Sequence, residues 1–127
     1  MEKNKFYFSI KLSFKKDCNL ENIKDLIKLK PYKLINYKDS KGPSKSSKII
    51  FKTDEFEEIY TDEIFKAFIL SFKDNFKNLK EILKDNEGTC YFSIVFTALN
   101  DKPCIGLSNE IMTILSDLGA NYDVDFI

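Results

Sequence analysis

The period of the apolar positions changes along the chain, and those changes divide it into elements. Phe6, Phe8, Ile10, Leu12 and Phe14 fall on every second position, with Ser9, Lys11 and Ser13 between them. That alternation is the signature of a half-buried strand. Asp17, Cys18 and Asn19 break it. Leu20, Ile23, Leu26 and Ile27 then recur at helical spacing with Lys24, Asp25 and Lys28 on the other side, which predicts a short amphipathic helix capped by Asn19 and closed by Pro31. Residues 32–37 read as a strand, and residues 39–47, Asp-Ser-Lys-Gly-Pro-Ser-Lys-Ser-Ser, as an exposed loop,.

Residues 48–53 read as a strand, and the acidic run 54–58 leads into the longest helical pattern. Ile64, Phe65, Phe68, Ile69, Phe72, Phe76, Leu79, Ile82 and Leu83 form one stripe at spacings of three and four,. Thr61 suits its cap, Asp62 and Glu63 suit its first turn, Asp74-Asn75 marks a kink or a split, and Gly88 is the expected stop. Residues 89–99 read as a second long strand. After a turn at 100–103 and a short extended piece at 104–107, Ser108 caps a helix whose inner face is Ile111, Ile114, Leu115 and Leu118. Gly119 ends it, and Tyr122, Val124 and Phe126 alternate inward in a last strand, leaving Asp123 and Asp125 in water.

These elements predict an α+β single domain over residues 1–127: a mixed or mainly antiparallel sheet of about five or six strands with helices on one face. Tyr7-Phe8-Ser9-Ile10 recurs as Tyr91-Phe92-Ser93-Ile94, each within a strand followed by a helix and another strand. An internal β-α-β duplication and chance recurrence in a chain rich in Phe, Ser and Ile both account for it.

Composition adds an aromatic core: 12 Phe and 6 Tyr, with no Trp, each buried ring covering on the order of 150–250 Å². The 20 basic residues, all Lys, balance 20 acidic ones, and there is no His. Lacking Arg, the chain lacks the residue best suited to bidentate phosphate and guanine contacts. Lacking His, it lacks the usual base for a thiol or hydroxyl nucleophile and the imidazole ligand of zinc sites. Cys18, Cys90 and Cys104 have neither disulfide nor zinc spacing and suit free thiols in a reducing compartment. Cys90 sits among aromatic residues and reads as a small core hydrophobe, while Cys104 is the better candidate for a reactive thiol. Asp123 and Asp125 share one strand face and could hold a cation, although a solvated face is the simpler reading. Lys41-Gly42-Pro43 lacks the repeated glycines of a phosphate loop. No export signal and no stretch of membrane-spanning length are apparent, so a cytoplasmic location is expected, with no cofactor, no metal and no membrane partner.

The neutral total hides a polarity. Residues 28–52 carry Lys28, Lys30, Lys33, Lys38, Lys41, Lys45, Lys48 and Lys52 against Asp39 alone, whereas from Asp85 onward Lys102 alone faces seven carboxylates. Tyr32 and Tyr37 interleave with the lysines, as on recognition surfaces. The function expected on these grounds is non-enzymatic binding of an acidic protein surface, as an immunity or antitoxin-like protein requires, with Tyr32, Tyr37, Lys38, Lys41, Lys45 and Lys48 as partner-binding residues. The alternatives are a nucleic-acid binder using residues 28–52, which the missing Arg and the acidic end disfavour, and an enzyme using Cys104 or the carboxylates.

The order of elements and the tail resemble a bacterial family of domains of unknown function, number 4279. The resemblance is carried by the helix entry at residues 20–31 and by the ending: Gly106-Leu107-Ser108, a helix at 109–118, Gly119, then Asp123-Val124-Asp125-Phe126. The chain departs from the family in having no Trp after the Lys-Gly turn and Phe126 where Tyr is more usual. The resemblance implies a bacterial cytoplasmic α+β domain and carries no activity with it.

Overall fold

The computed structural model describes residues 4–27, 29–42, 45–57, 61–99 and 107–127. Among them are six strands: β1 (Lys5–Phe14), β2 (Pro31–Ile35), β3 (Ser47–Lys52), β4 (Phe56–Glu57), β5 (Gly88–Ala98) and β6 (Asn121–Phe126). Four helices accompany them: α1 (Leu20–Ile23), α2 (Thr61–Leu70), α3 (Phe76–Asp85) and α4 (Asn109–Leu118). The strands form one sheet in the order β2-β3-β1-β5-β6, with β4 pairing the start of β1. All pairs are antiparallel except β5 with β6, which α4 joins, as a parallel pair requires a crossover. The expected α+β architecture with a mostly antiparallel mixed sheet is therefore present.

The alternation in β1 decides which side is covered. Phe6, Phe8, Ile10, Leu12 and Phe14 are all fully buried. They join Ile49 and Phe51 of β3, Cys90, Phe92, Ile94 and Phe96 of β5, and residues from all four helices in a single apolar cluster. Phe8 lies at its aromatic centre, against the rings of Phe6, Phe56, Phe65 and Phe68. Every described helix thus packs on one face of the sheet, and the odd-numbered positions of β1 point the other way.

Local signals explain most boundaries. Asn19 caps α1, its Oδ1 accepting from the Glu21 amide at 3.0 Å. Ser108 caps α4 by accepting from the Ile111 amide at 3.3 Å, and Gly119 ends it with φ 65°. The long stripe is split where Asp74-Asn75 suggested. A 3-10 turn at Lys73–Asn75 separates α2 from α3, and the Asn75 side-chain amide donates to the Leu26 carbonyl at 3.0 Å, tying the joint to the end of the first helical segment. Thr61 is the first helical residue, and the capping position before it lies outside the described residues.

Several details differ from expectation. The first helix is shorter than its stripe, with α1 passing into a 3-10 turn at Lys24–Leu26. The strand expected at 32–37 runs from Pro31 to Ile35, and Tyr37–Asp39 is a 3-10 turn instead. The acidic run contains β4, because Phe56 is drawn down against Phe6 and Phe8. Gly88 does not supply the left-handed residue after α3. Glu87 does, with φ 50°, and Gly88 opens β5 directly opposite Phe14.

Glycine is needed at 88 for room. A Cβ there would lie 2.6 Å from the buried Phe14 ring and 2.9 Å from the Leu83 side chain. Gly88→Ala should therefore cost about 1–3 kcal/mol, the range for overpacking a filled core, read as a lower urea midpoint with an unchanged m-value. Gly119→Ala, with nothing within 4 Å of the new Cβ, pays only the strain of a left-handed φ, about 1 kcal/mol. A Gly88→Ala protein as stable as the parent would show that Phe14 moves aside freely.

The recurrent tetrapeptides meet in the middle of the sheet. Ser9 is directly opposite Ser93, Phe8 opposite Ile94 and Ile10 opposite Phe92. A local two-fold axis through the Ser9–Ser93 pair thus carries Tyr7-Phe8-Ser9-Ile10 onto Tyr91-Phe92-Ser93-Ile94. The flanks break this symmetry, since β6 lies beside β5 whereas β3 stands between β1 and β2.

Candidate functional site

The face of the sheet turned away from the helices is the most distinctive surface among the described residues. Register fixes its occupants. Tyr7 stands opposite Val95, Ser9 opposite Ser93, Lys11 opposite Tyr91 and Ser13 opposite Thr89 across β1 and β5. On the other side of β1, Ser9 stands opposite Lys52, Lys11 opposite Ile50 and Ser13 opposite Lys48. In β2, the register shift between Pro31 and Lys33 leaves Tyr32 as an extra residue, the geometry of a bulge, which turns Tyr32 and Lys33 onto the same face. At the far edge β6 places Asp123 opposite Ser93 and Asp125 opposite Val95.

This arrangement alternates cations with aromatic rings. The Lys52 ammonium lies 4.4 Å from the Tyr7 ring centroid and 5.2 Å from that of Tyr32, so it bridges two rings on different strands. Lys11 lies 5.4 Å from the Tyr91 ring. Such contacts contribute about 0.5–1 kcal/mol each at exposed sites, which biases the ammoniums towards the rings. The positions between them include the short side chains of Ser9, Ser13, Thr89 and Ser93. Charge changes sign across it, from Lys33, Lys48 and Lys52 on β2 and β3 to exposed Asp123 and Asp125 on β6.

The residues expected to bind a partner divide into two groups. Tyr32, 66% exposed, and half-buried Lys48 belong to the open face. Tyr37 and Lys38 lie in the 3-10 turn beyond β2, where Lys45 approaches the Tyr37 ring at 6.0 Å, and exposed Lys41 follows in the same loop. Lys41 and Lys48 line a concavity of about 370 Å³ together with Asp39, so the loop adjoins the face at its β2 edge. Pro43 and Ser44, at the expected loop tip, lie outside the described residues. Sequence reasoning missed Tyr7, Lys11 and Tyr91, and counted Lys52 only as charge. For Tyr7 and Lys11 the signal is the second half of the β1 alternation, and for Tyr91 it is the corresponding half of β5.

The candidates for chemistry lie elsewhere. Cys90 is fully buried, and burial pushes its thiol up to about 12. Cys18 is half-buried and its thiol is also raised, mainly by burial. Both shifts oppose thiolate formation. Because the neutral Cys90 thiol is favoured in the folded state, its contribution is complete below the ordinary thiol value of 9.0 and is lost as pH climbs towards 12,. Stability should therefore fall over that interval in the parent more than in a Cys90→Ala variant, followed by urea titration at successive pH values. Cys104 and the extended piece before α4, except for half-buried Leu107, lie outside the described residues. Asp123 and Asp125 face outward as expected, and Asp123 Oδ1 accepts from its neighbour's amide, Val124 N, at 2.9 Å. Among the described residues no three His, Cys, Asp or Glu side chains are grouped to hold a metal ion, and no helix is long and apolar enough to cross a membrane.

No curated protein and no solved structure matches the chain. The family expected from the tail does: the sequence model described as "Domain of unknown function (DUF4279)" matches residues 2–127. The chain belongs to that family over essentially its whole length.

Proposed function

We propose that this chain is a non-enzymatic protein-binding module of the bacterial cytoplasm, immunity- or antitoxin-like in kind, whose open sheet face engages an acidic protein surface. The observation that carries the reading is the Tyr7–Lys52–Tyr32 bridge with the Lys11–Tyr91 pair beside it. Rigid rings give contact area at small entropic cost, and lysines gathered on one face steer an oppositely charged partner. Free Cys18 and Cys90 suit a reducing compartment,. The loop residues Tyr37, Lys38, Lys41 and Lys45 extend the basic area past the β2 edge.

A second reading has support of its own. Exposed tyrosines beside lysines on an open antiparallel sheet are also how such sheets stack unpaired bases. Three features favour protein: lysines already cover the rings, Asp123 and Asp125 share the face and repel phosphates, and the chain is neutral and Arg-free,. Photo-crosslinking separates the two. A benzophenone amino acid replacing Tyr91, with another replacing Met112 on α4 as control, is activated in cells expressing the protein. The expected result is an acidic protein crosslinked from position 91 only and unaffected by nuclease. Nuclease-sensitive adducts from position 91 would transfer the face to nucleic acid.

A further inference from the structure

Where the open face turns into the helix layer, two concavities meet along one wall. The larger, about 610 Å³, has an apolar floor of Leu29, Phe56, Ile64 and Phe68, with Ala67 of α2 and Ser71, just past the end of that helix, on its far side. The smaller, about 450 Å³, extends past Pro31 to exposed Tyr32. Lys30, Lys52, Thr53 and Asp54 line both.

The polar groups on this wall are not equally available. The Thr53 hydroxyl accepts from the Phe8 amide and donates to the Asp54 carbonyl, each at 3.0 Å, and the Ser71 hydroxyl donates to the Phe68 carbonyl at 2.6 Å. Lys30 and Lys52 make no ion pair with any described residue. An occupant therefore meets an apolar floor and two ammoniums that make no ion pair with a described residue, with exposed Asp54 as the one opposing charge among the described lining residues. Lys33 adds a third cation nearby on β2. The groove between α2, α3 and α4, about 410 Å³, differs in this respect. Its rim carries both Lys73 and Glu110, and Glu110 is paired with Lys66 at 3.0 Å, so charge selects no occupant there.

We infer that the corner groove holds an extended acidic segment of a partner protein, with one bulky apolar side chain on the Phe56–Phe68 floor and flanking carboxylates on Lys30 and Lys52. This rests on the protein-binding reading and adds an anchor to it. The open face holds by area and charge, whereas the corner supplies the concave apolar point around which binding energy concentrates,. Lys52 serves both, since it bridges Tyr7 and Tyr32 and also forms the groove wall.

The probes are three synthetic dodecapeptides: one rich in Asp and Glu with a central Phe, the same with a central Ala, and one with Lys replacing every acid. Binding to the full chain is followed by amide shifts and by anisotropy of labelled peptide. The acidic Phe peptide should bind, shifting the amides of Thr53, Ala67 and Ser71. Replacing its Phe by Ala should weaken it about tenfold or more, and the Lys peptide should not bind. Ala67→Trp, which fills the groove from an exposed helix position, should weaken binding by a similar factor, as should Lys30→Glu with Lys52→Glu, which should also flatten the salt dependence. Lys77→Glu on α3 should change nothing, and circular dichroism checks that each variant is folded. Equal binding of the Phe and Ala peptides, indifference to Ala67→Trp, or no binding of any peptide would overturn the inference. If an acidic protein still crosslinks from position 91 in that case, the protein-binding reading stands without the groove. If nucleic acid crosslinks while the Phe peptide binds as described, the groove stands and the reading of the face fails.

Discussion

Phe8→Ala should remove about 3–5 kcal/mol of stability, the usual cost of deleting a buried aromatic ring, while Tyr7→Ala, one residue away, should remove about 1 kcal/mol or less. Phe8 is fully buried and stacks on Phe68 with centroids 5.2 Å apart and planes 19° apart. The rings of Phe65, Phe6 and Phe56 stand at 5.1, 5.6 and 5.6 Å. Its removal opens a void touching β1, β4 and α2 together, and these cannot all collapse into it because β1 is fixed between β3 and β5. Tyr7 points to the uncovered side and loses chiefly its contact with Lys52. Since a domain of this size has about 5–15 kcal/mol in total, Phe8→Ala should lower the urea midpoint severely with little change in slope. Equal costs at the two positions would mean that both faces of the sheet are covered, and the proposed binding face would have to be given up.

The same alternation explains how far the sequence could be read. The apolar half of β1, the helix stripes of α3 and α4, and the caps at Asn19 and Ser108 are local signals whose physical causes act within a few residues, and each is where expected. Sheet order and the uncovered face are not local. Whether Tyr7 and Lys11 meet water or a helix depends on where α2 to α4 fall, which no pattern within β1 contains. Tyr32 reaches the open face through a bulge, and a bulge moves a side chain across the sheet without altering composition. The loop lysines were legible as charge because eight Lys against one Asp needs no fold to be seen. Their division between a sheet face and a turn needed the register. β4 was hidden in an acidic run because one aromatic residue, Phe56, outweighs its charged neighbours once Phe6 and Phe8 lie beneath it.

Removing residues 122–127 should abolish cooperative folding, although β6 is an edge strand and its residues are not deeply buried. Tyr122 and Val124 are half-buried, and Phe126 is 58% exposed where full inward burial was expected. Phe126 nonetheless stacks on Phe96 at 5.5 Å and 14°, and Tyr122 meets Phe65 at 5.6 Å. At about 1.5–3 kcal/mol for a fully buried large side chain, discounted for this exposure, the three contribute roughly 3–5 kcal/mol. Each ladder hydrogen bond to β5 adds about 0.5–1.5 kcal/mol. The sum approaches the whole stability of such a domain. The truncated chain would also present β5, Gly88–Ala98, as a long and largely apolar edge, the kind that pairs with other chains. In the intact protein β6 covers that edge with a strand that is itself protected, because Asp123 and Asp125 charge it and Asp123 occupies the Val124 amide. The truncated protein should therefore bind a hydrophobic dye, keep far-ultraviolet ellipticity without a cooperative melt, and aggregate in proportion to its concentration. A truncated chain that melts as sharply and at the same temperature as the parent would show that the core closes without β6, and that the C-terminal strand serves the acidic edge of the open face alone.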